Sequence, residues 1–259
     1  MRSAFSTKEE KNMKSRLVDR LLLPVHVDTV EQLGPRLRRV ILTGSALAGL
    51  TWHPGQHVRL QVAPAPPALD WIVGTLRTYS IWDFDDQAME LIVFDHGEGP
   101  GAGWARTARP GDELMLLKPQ GNLAVQSEAR YHLFAGDETA QVSYGPMLRA
   151  LPDDAQVFAR VEVDSPAERI DLTPKQRQAA RPGWNVDWTY RQGRSAASSQ
   201  SLVEAVRSLP LPDEPGIAYL AGEARTIQLI RRHLVEERNW PRRHVRTKPF
   251  WTPGRKGLD

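Results

Sequence analysis

The chain changes rhythm once, near Ser127, and that change constrains the fold more than any other feature of its 259 residues. From Leu23 to about Ala124 it runs in short alternating stretches: VHVDTV, RRVILTG, HVRLQV, RTYSIWD, MELIVFD and ELMLLKP. Turn signals such as Pro54-Gly55, Pro110-Gly111 and Gly121-Asn122 separate them. A period of two broken by Gly and Pro marks antiparallel strands that bury one face, as in a barrel or a sandwich. Beyond Ser127, strands alternate with helical segments: YHLFAG then TAQVSYGPMLRAL; VFARVEV; VDWTYR then QSLVEAVRSL; IAYLAG then ARTIQLIRRHLVEER; and a last VRTKPFW. That alternation implies a parallel sheet with right-handed crossovers. The strand ends of such a sheet form a crevice suited to a nucleotide.

Composition narrows the chemistry. With 41% hydrophobic residues the chain can bury a substantial core, as two modest domains or one large one. It has no cysteine, which excludes disulfides, a thiolate nucleophile and cysteine-ligated metal, so any redox chemistry has to be borrowed from a cofactor. No apolar run is long enough for a membrane span. The first residues, MRSAFSTKEEKNMKSRLVDRLLL, mix charges with apolar residues and offer no small-residue cleavage site. The expectation is a soluble, cytoplasmic monomer whose residues 1–17 form an appended helix or tail. Residues 164–186 and 192–200 read as polar loops. The net charge of +3 hides a basic end: residues 225–259 carry ten Lys/Arg against three Asp/Glu. No aromatic-and-basic signature accompanies those arginines, so nucleic acid is not the expected partner.

The stretch LRTYSIWDFDDQAMELIVFDHGEGPGAGWA, residues 76–105, holds the most chemistry. Arg77 and Tyr79 lie two apart on a strand, so one face carries a cation and an aromatic plane while Thr78 and Ser80 serve the other. For the bare pair, an arginine stacked on a tyrosine at a barrel surface is the commoner reading, and the residues that follow shift the balance. Asp95, His96 and Gly97 end the next strand, and the glycines from Gly99 to Gly103 lead into Trp104. Glycine lets backbone N–H groups approach a ligand closely, and a helix starting near Gly101 would favour a phosphate. An ordinary glycine turn, and a His96 that only bonds a carbonyl, are the bland alternatives.

In order and spacing these pieces resemble the flavin domain of the ferredoxin-NADP reductase superfamily and, more closely, the siderophore-interacting protein family, also called ViuB-like ferric-siderophore reductases. The motifs are HPGQHVRL (53–60), RTYS (77–80), FDHGEGPGAGWA (94–105), PGDEL (110–114), AGDETA (135–140), VDWTYR (186–191), LAGEA (220–224) and FWTPG (250–254), spread over residues 22–255. The resemblance implies a β + α/β fold: an N-terminal antiparallel six-stranded FAD-binding β-barrel, residues 18–126, then an α/β NAD(P)-binding-like domain with a parallel sheet, residues 127–259. It implies that Tyr79 packs on the isoalloxazine, that Arg77, Thr78 and Ser80 bind FAD, and that Asp95, His96, Gly97, Gly101, Gly103 and Trp104 complete the flavin site.

In the second half the resemblance places Asp137, Thr139 and Ala140 beside the nicotinamide, Glu223 and Ala224 at the edge of the fourth strand, and Trp251 over the flavin. From the residues alone, an ordinary N-cap at Asp137 or Thr139 is the commoner reading. Carboxylates at that helix start disfavour a phosphate directly on it, so a diphosphate needs other groups such as Arg191 or Arg225. Arg191 is also a candidate substrate contact, with a solvated strand-end arginine as the alternative. Lys118 is a second candidate contact for an anionic substrate, or a surface lysine. The chain departs from the family pattern in Gln141-Val142-Ser143-Tyr144, in Phe250-Trp251-Thr252 and in Lys118-Pro119. The first change leaves the electron donor open between NAD(P)H and ferredoxin. The implied function is FAD-dependent reduction of siderophore-bound Fe(III), with no side-chain catalyst and no protein metal site. A general NAD(P)H:flavin or ferric-chelate reductase and a flavin-binding electron relay remain as alternatives.

Overall fold

The computed structural model describes residues 22–62, 76–97, 99–172 and 183–255, so the tail expected at 1–17 and part of the loop expected at 164–186 lie outside the described residues. The chain divides into two compact units. One takes in residues up to Leu33, Arg38–Trp52 and His57–Gln120, and the other Gly34–Leu37, His53–Gln56 and Gly121–Asp259.

In the first unit, strands β1 (Leu22–Gly34), β2 (Leu37–Thr43), β3 (His57–Gln61), β4 (Leu76–Phe84), β5 (Ala88–Phe94) and β6 (Glu113–Gln120) close a barrel in the order β1-β2-β5-β4-β3-β6. Alternation in the sequence becomes inside and outside. Val27, Val40, Leu42, Val58, Leu60, Ile81, Leu91 and Leu116 are wholly buried in one cluster, while intervening residues such as Thr78 and Asp83 face out. Closure leaves no unpaired edge along these strands. One helix, α1 (Pro100–Thr107), follows β5 and adds Trp104 and Ala105 to the barrel core.

The second unit is an open sheet of five parallel strands: β7 (His132–Asp137), β8 (Val157–Val163), β9 (Trp184–Tyr190), β10 (Ile217–Glu223) and β11 (Val245–Trp251), in the order β11-β10-β7-β8-β9. Both central strands, β7 and β10, are buried along their whole length, which is why they read as continuous apolar runs and not as alternation. Helix α2 (Glu138–Arg149) packs Tyr144, Met147 and Leu148 on one face with Phe134 and Val161. Helices α3 (Gln200–Arg207) and α4 (Ala224–Arg232) pack Leu202, Val206, Ile227 and Ile230 on the other with Leu133 and Ala135. The helical reading of 224–238 breaks at Arg232. A π turn takes over at His233–Glu237, where the Arg238 N–H reaches the His233 carbonyl at 3.1 Å. From β7 the chain first adds β8 and β9 to one side and then β10 and β11 to the other, so the strand order reverses between β7 and β10.

Candidate functional site

Antiparallel register sets Arg77 opposite Leu60 and Tyr79 opposite Val58. Cross-strand partners share a face, so both side chains stand on the inward side of β4, with Thr78 exposed on the other. The start of α1 lies against them. The Tyr79 hydroxyl donates to the Gly101 carbonyl at 3.3 Å, and its ring meets that of Trp104 at 5.3 Å with the planes tilted 51°. A methyl group on Gly101 would sit 3.0 Å from the Tyr79 hydroxyl and 3.4 Å from Arg77 Cγ. Glycine at 101 is therefore what permits helix and strand to approach. Burial pushes the Tyr79 phenol well above its ordinary range, offset only in part by Arg77, so it stays a neutral donor.

The loop between β5 and α1 is held by its own ion pair. Arg106 reaches both Asp95 oxygens at 2.7 and 3.0 Å and the Gly97 carbonyl at 3.0 Å, while Asp95 accepts the Gly97 N–H at 2.9 Å. Burial works against the Asp95 charge, but that N–H and Arg106 outweigh it and lower its pKa. His96 is exposed on this loop. At the other end of α1, Arg38 donates to the Ala105 and Arg106 carbonyls, satisfying groups the helix cannot. Among the described residues no side chain caps its N-terminus: Gly99 has none to offer, Pro100 has no N–H, and the first turn holds no acidic residue. The first ladder bond is donated by Gly103 to Gly99, so the helix itself claims neither the Gly101 nor the Ala102 N–H. The Trp104 indole nitrogen is buried without a hydrogen-bond partner. A cation, an aromatic side chain backed by Trp104 and amides outside the helix ladder together fit a group that is aromatic at one end and phosphorylated at the other, as FAD is. Ser80 is half-buried on β4, and Lys118 is exposed on β6.

At the carboxyl edge of the parallel sheet, Asp137 caps α2. One carboxylate oxygen accepts the Thr139 N–H and hydroxyl at 2.9 and 2.5 Å. The other accepts the Glu223 N–H at 2.7 Å and the Trp251 indole N–H at 2.8 Å. Asp137, Thr139, Glu223 and Trp251 thus form one cluster, with Ala140 buried in the first turn of α2 and Ala224 opening α4. Burial pushes the Asp137 carboxyl up against these bonds. Glu223 caps α4 through the Arg225 and Thr226 N–H groups and also accepts the Ser198 N–H. Burial again opposes the charge, and here the N–H donors prevail and lower the pKa.

Arg191 stands apart from that cluster. Its guanidinium is buried and grips Glu138 through two hydrogen bonds of 2.5 and 2.7 Å, with Glu162 at 3.7 Å. Burial opposes the cation, but Glu138 and then Glu162 more than compensate, so it is held charged. One Glu162 oxygen accepts the Ser199 and Ser201 hydroxyls at 2.6 and 2.7 Å. Sequence reasoning passed over Glu162, Arg106 and Gly222, and took Glu138 only as a carboxylate at the helix start. Glu162 had a signal, a carboxylate inside the apolar strand VFARVEV, and Glu138 lay within the AGDETA motif. Arg106 had none.

Among solved structures, a siderophore utilization protein from T. fusca superposes with a TM-score of 0.77 at 29% identity, covering 92% of this chain and 95% of that one. Among curated proteins, ferric vibriobactin reductase ViuB of Vibrio cholerae is 29% identical over 184 residues, 69% of this chain and 65% of its own length, so the match spans slightly less than two thirds of that relative. An NADPH-dependent ferric-chelate reductase of Escherichia coli is 24% identical over 238 residues, 86% of this chain and 89% of that protein. The family model described as siderophore-interacting FAD-binding domain matches residues 26–123, and the one described as siderophore-interacting protein matches residues 129–254. By these two consecutive matches, the barrel and the parallel-sheet unit together, the chain belongs to the siderophore-interacting protein family.

Proposed function

We propose that this chain is an FAD-dependent ferric-siderophore reductase that lowers siderophore-bound Fe(III) to Fe(II) with electrons from a reduced pyridine dinucleotide. The observation that carries the reading is the cradle of Arg77, Tyr79, Gly101 and Trp104 beside the uncapped start of α1, within the segment that matches the family's FAD-binding domain. FAD, when bound, supplies the redox chemistry that a chain without cysteine lacks. The chain's own part is to bind and orient. Arg77 and the Gly101 and Ala102 amides offer positive charge to phosphate, Tyr79 offers ring surface with the buried Trp104 packed behind it, and the Asp95–Arg106 pair fixes the loop that carries His96 and Gly97. Reduction releases the metal because Fe(II) is held less firmly than Fe(III) by hard oxygen ligands. The two reductases named above support this choice of reaction. Lys118 is proposed to attract an anionic ferric complex, and Arg191 to keep Glu138 in place at the sheet edge. We place the protein in the cytoplasm as a monomer.

A second donor, a ferredoxin, is favoured by one observation: the start of α2 is already capped by the Asp137 carboxylate, which takes the N–H a phosphate would need. The deciding experiment is an anaerobic spectrum of the FAD-reconstituted protein titrated with NADPH or NADH, then with a ferric siderophore in the presence of an Fe(II) chelator. Bleaching, reoxidation and Fe(II) capture are expected. Failure to bind flavin refutes the reading, and flavin that only a ferredoxin reduces selects the second donor. Arg77→Ala is expected to lose FAD on gel filtration, and unchanged flavin content would refute the assignment of Arg77.

A further inference from the structure

Where the strand order of an open parallel sheet reverses, a ligand phosphate commonly meets a helix N-terminus. Here that place is the start of α2, between β7 and β10. Four donors converge on it from three separate parts of the chain: the Thr139 N–H and hydroxyl, the Glu223 N–H and the Trp251 indole. Gly222 completes the seat. It has φ of +116°, and a methyl group on it would lie 2.7 Å from the carboxyl carbon of Asp137. An N-cap needs one or two donors. Here each oxygen receives two donors, with no side chain on Gly222 behind them, and hydrogen bonds to an ionised carboxylate are the strong ones.

We infer that Asp137 is a built-in anion: it occupies the phosphate seat of α2 and, from there, positions the Trp251 ring. The carboxylate excludes a dinucleotide's phosphate from this helix start, so Asp137 is a specificity-determining residue that keeps donor binding weak. Its hydrogen bond to Trp251 fixes the indole at the same sheet edge. Glu223, filling the start of α4 in the same way, removes the neighbouring helix as a substitute. The specificity half of this inference rests on the pyridine-dinucleotide donor proposed above, and the positioning half stands without it.

The test uses the full chain with 15N-labelled indoles, and Trp251→Phe assigns the resonance. In the wild type, inorganic phosphate and acetate should leave the Trp251 signal unmoved. In Asp137→Ala the signal should move toward free indole, lose its protection from exchange, and return saturably on adding acetate or phosphate. NADPH, titrated by the same signals, should bind this variant about tenfold more tightly than the wild type, one charge-assisted hydrogen bond's worth. Asp137→Asn preserves shape if the alanine variant fails to fold. Its amide must turn an NH2 toward one pair of donors, so the Trp251 signal should shift without rescue by acetate. A Trp251 signal unmoved in both variants overturns the positioning role, and so does a wild type that takes phosphate with the same shift. An alanine variant without gained anion affinity overturns the seat. None of these readings needs bound flavin, so a failure of the reductase assignment would appear separately.

Discussion

His132 opens β7 with its ring stacked on Tyr219 at 6.1 Å and Phe134 at 6.4 Å, and neither ring nitrogen has a hydrogen-bond partner. The side chain is 1% exposed, and burial lowers its pKa from 6.5 to about 4. The direction of the stability effect follows from linkage. Above pH 6.5 the imidazole is neutral in both folded and unfolded chains and contributes nothing to the pH dependence. As pH falls below 6.5 the unfolded chain takes up a proton that the folded one refuses, so stability is lost progressively until pH reaches the folded value near 4. At about 1.4 kcal/mol per pKa step the ceiling is about 3.4 kcal/mol, of which about 2 kcal/mol is gone by pH 5. His132→Phe keeps the aromatic stack and removes both orphaned nitrogens. It should be more stable than the wild type at neutral pH by about 1 kcal/mol or more, the cost of an unmade buried hydrogen bond, and should lack this slope. Urea unfolding of both proteins in steps from neutral pH to pH 5 measures the difference, in which the other titrating groups cancel. Parallel slopes for the two proteins, or a His132 ring proton that titrates near 6.5 by NMR, would refute the argument.

Removing Arg191 as Arg191→Met strands Glu138 and Glu162 in the interior and should cost about 3–5 kcal/mol in urea unfolding, most of it recovered when Glu138→Met is added. Glu223 has a lowered pKa, so the stability it adds is present above the ordinary glutamate range and lost as pH falls through its folded value. Glu223→Ala should cost about 2–3 kcal/mol at neutral pH and flatten the acid limb of the stability profile, read by chemical unfolding. Gly101→Ala should leave the barrel's circular dichroism intact while cutting FAD retained per chain by about tenfold, measured from flavin absorbance, because a methyl lodged between Tyr79 and Arg77 has to be accommodated by moving one of them.

What was readable in the sequence was what is local. Val58 and Leu60 alternate with Arg59 because one side of β3 faces the barrel core, and that period survives without any partner strand being known. The central strands β7 and β10 announce themselves as unbroken apolar runs for the opposite reason, burial on both sides. Partnerships were not readable. The meaning of Arg77 and Tyr79 depends on Gly101, more than twenty residues on, coming within a methyl group of them. The donors on Asp137 come from residues 139, 223 and 251. An aspartate just before a helical run looks the same whether it caps a helix or fills a four-donor seat. Arg191 ends a strand in a place that suggests solvent, and only the fold brings Glu138 and Glu162 to it.

The contrast between helix starts is where fold and function meet. Each N-terminus presents amides that must be satisfied by a side chain, by water or by a ligand. On α2 and α4 the chain supplies carboxylates of its own, and on α3 it supplies the Ser199 hydroxyl. On α1 it supplies glycine and proline, which cannot cap. A carboxylate of the chain itself is always present and competes with every incoming phosphate, whereas the amides beside Arg77 gain most from a phosphate that stays. On the reading proposed above, the same chemistry, filled in one unit and open in the other, separates a resident phosphorylated cofactor from a donor that must bind weakly and leave. On that reading a single residue, Asp137, carries most of the difference on the donor's side, and its Asp137→Ala variant tests it.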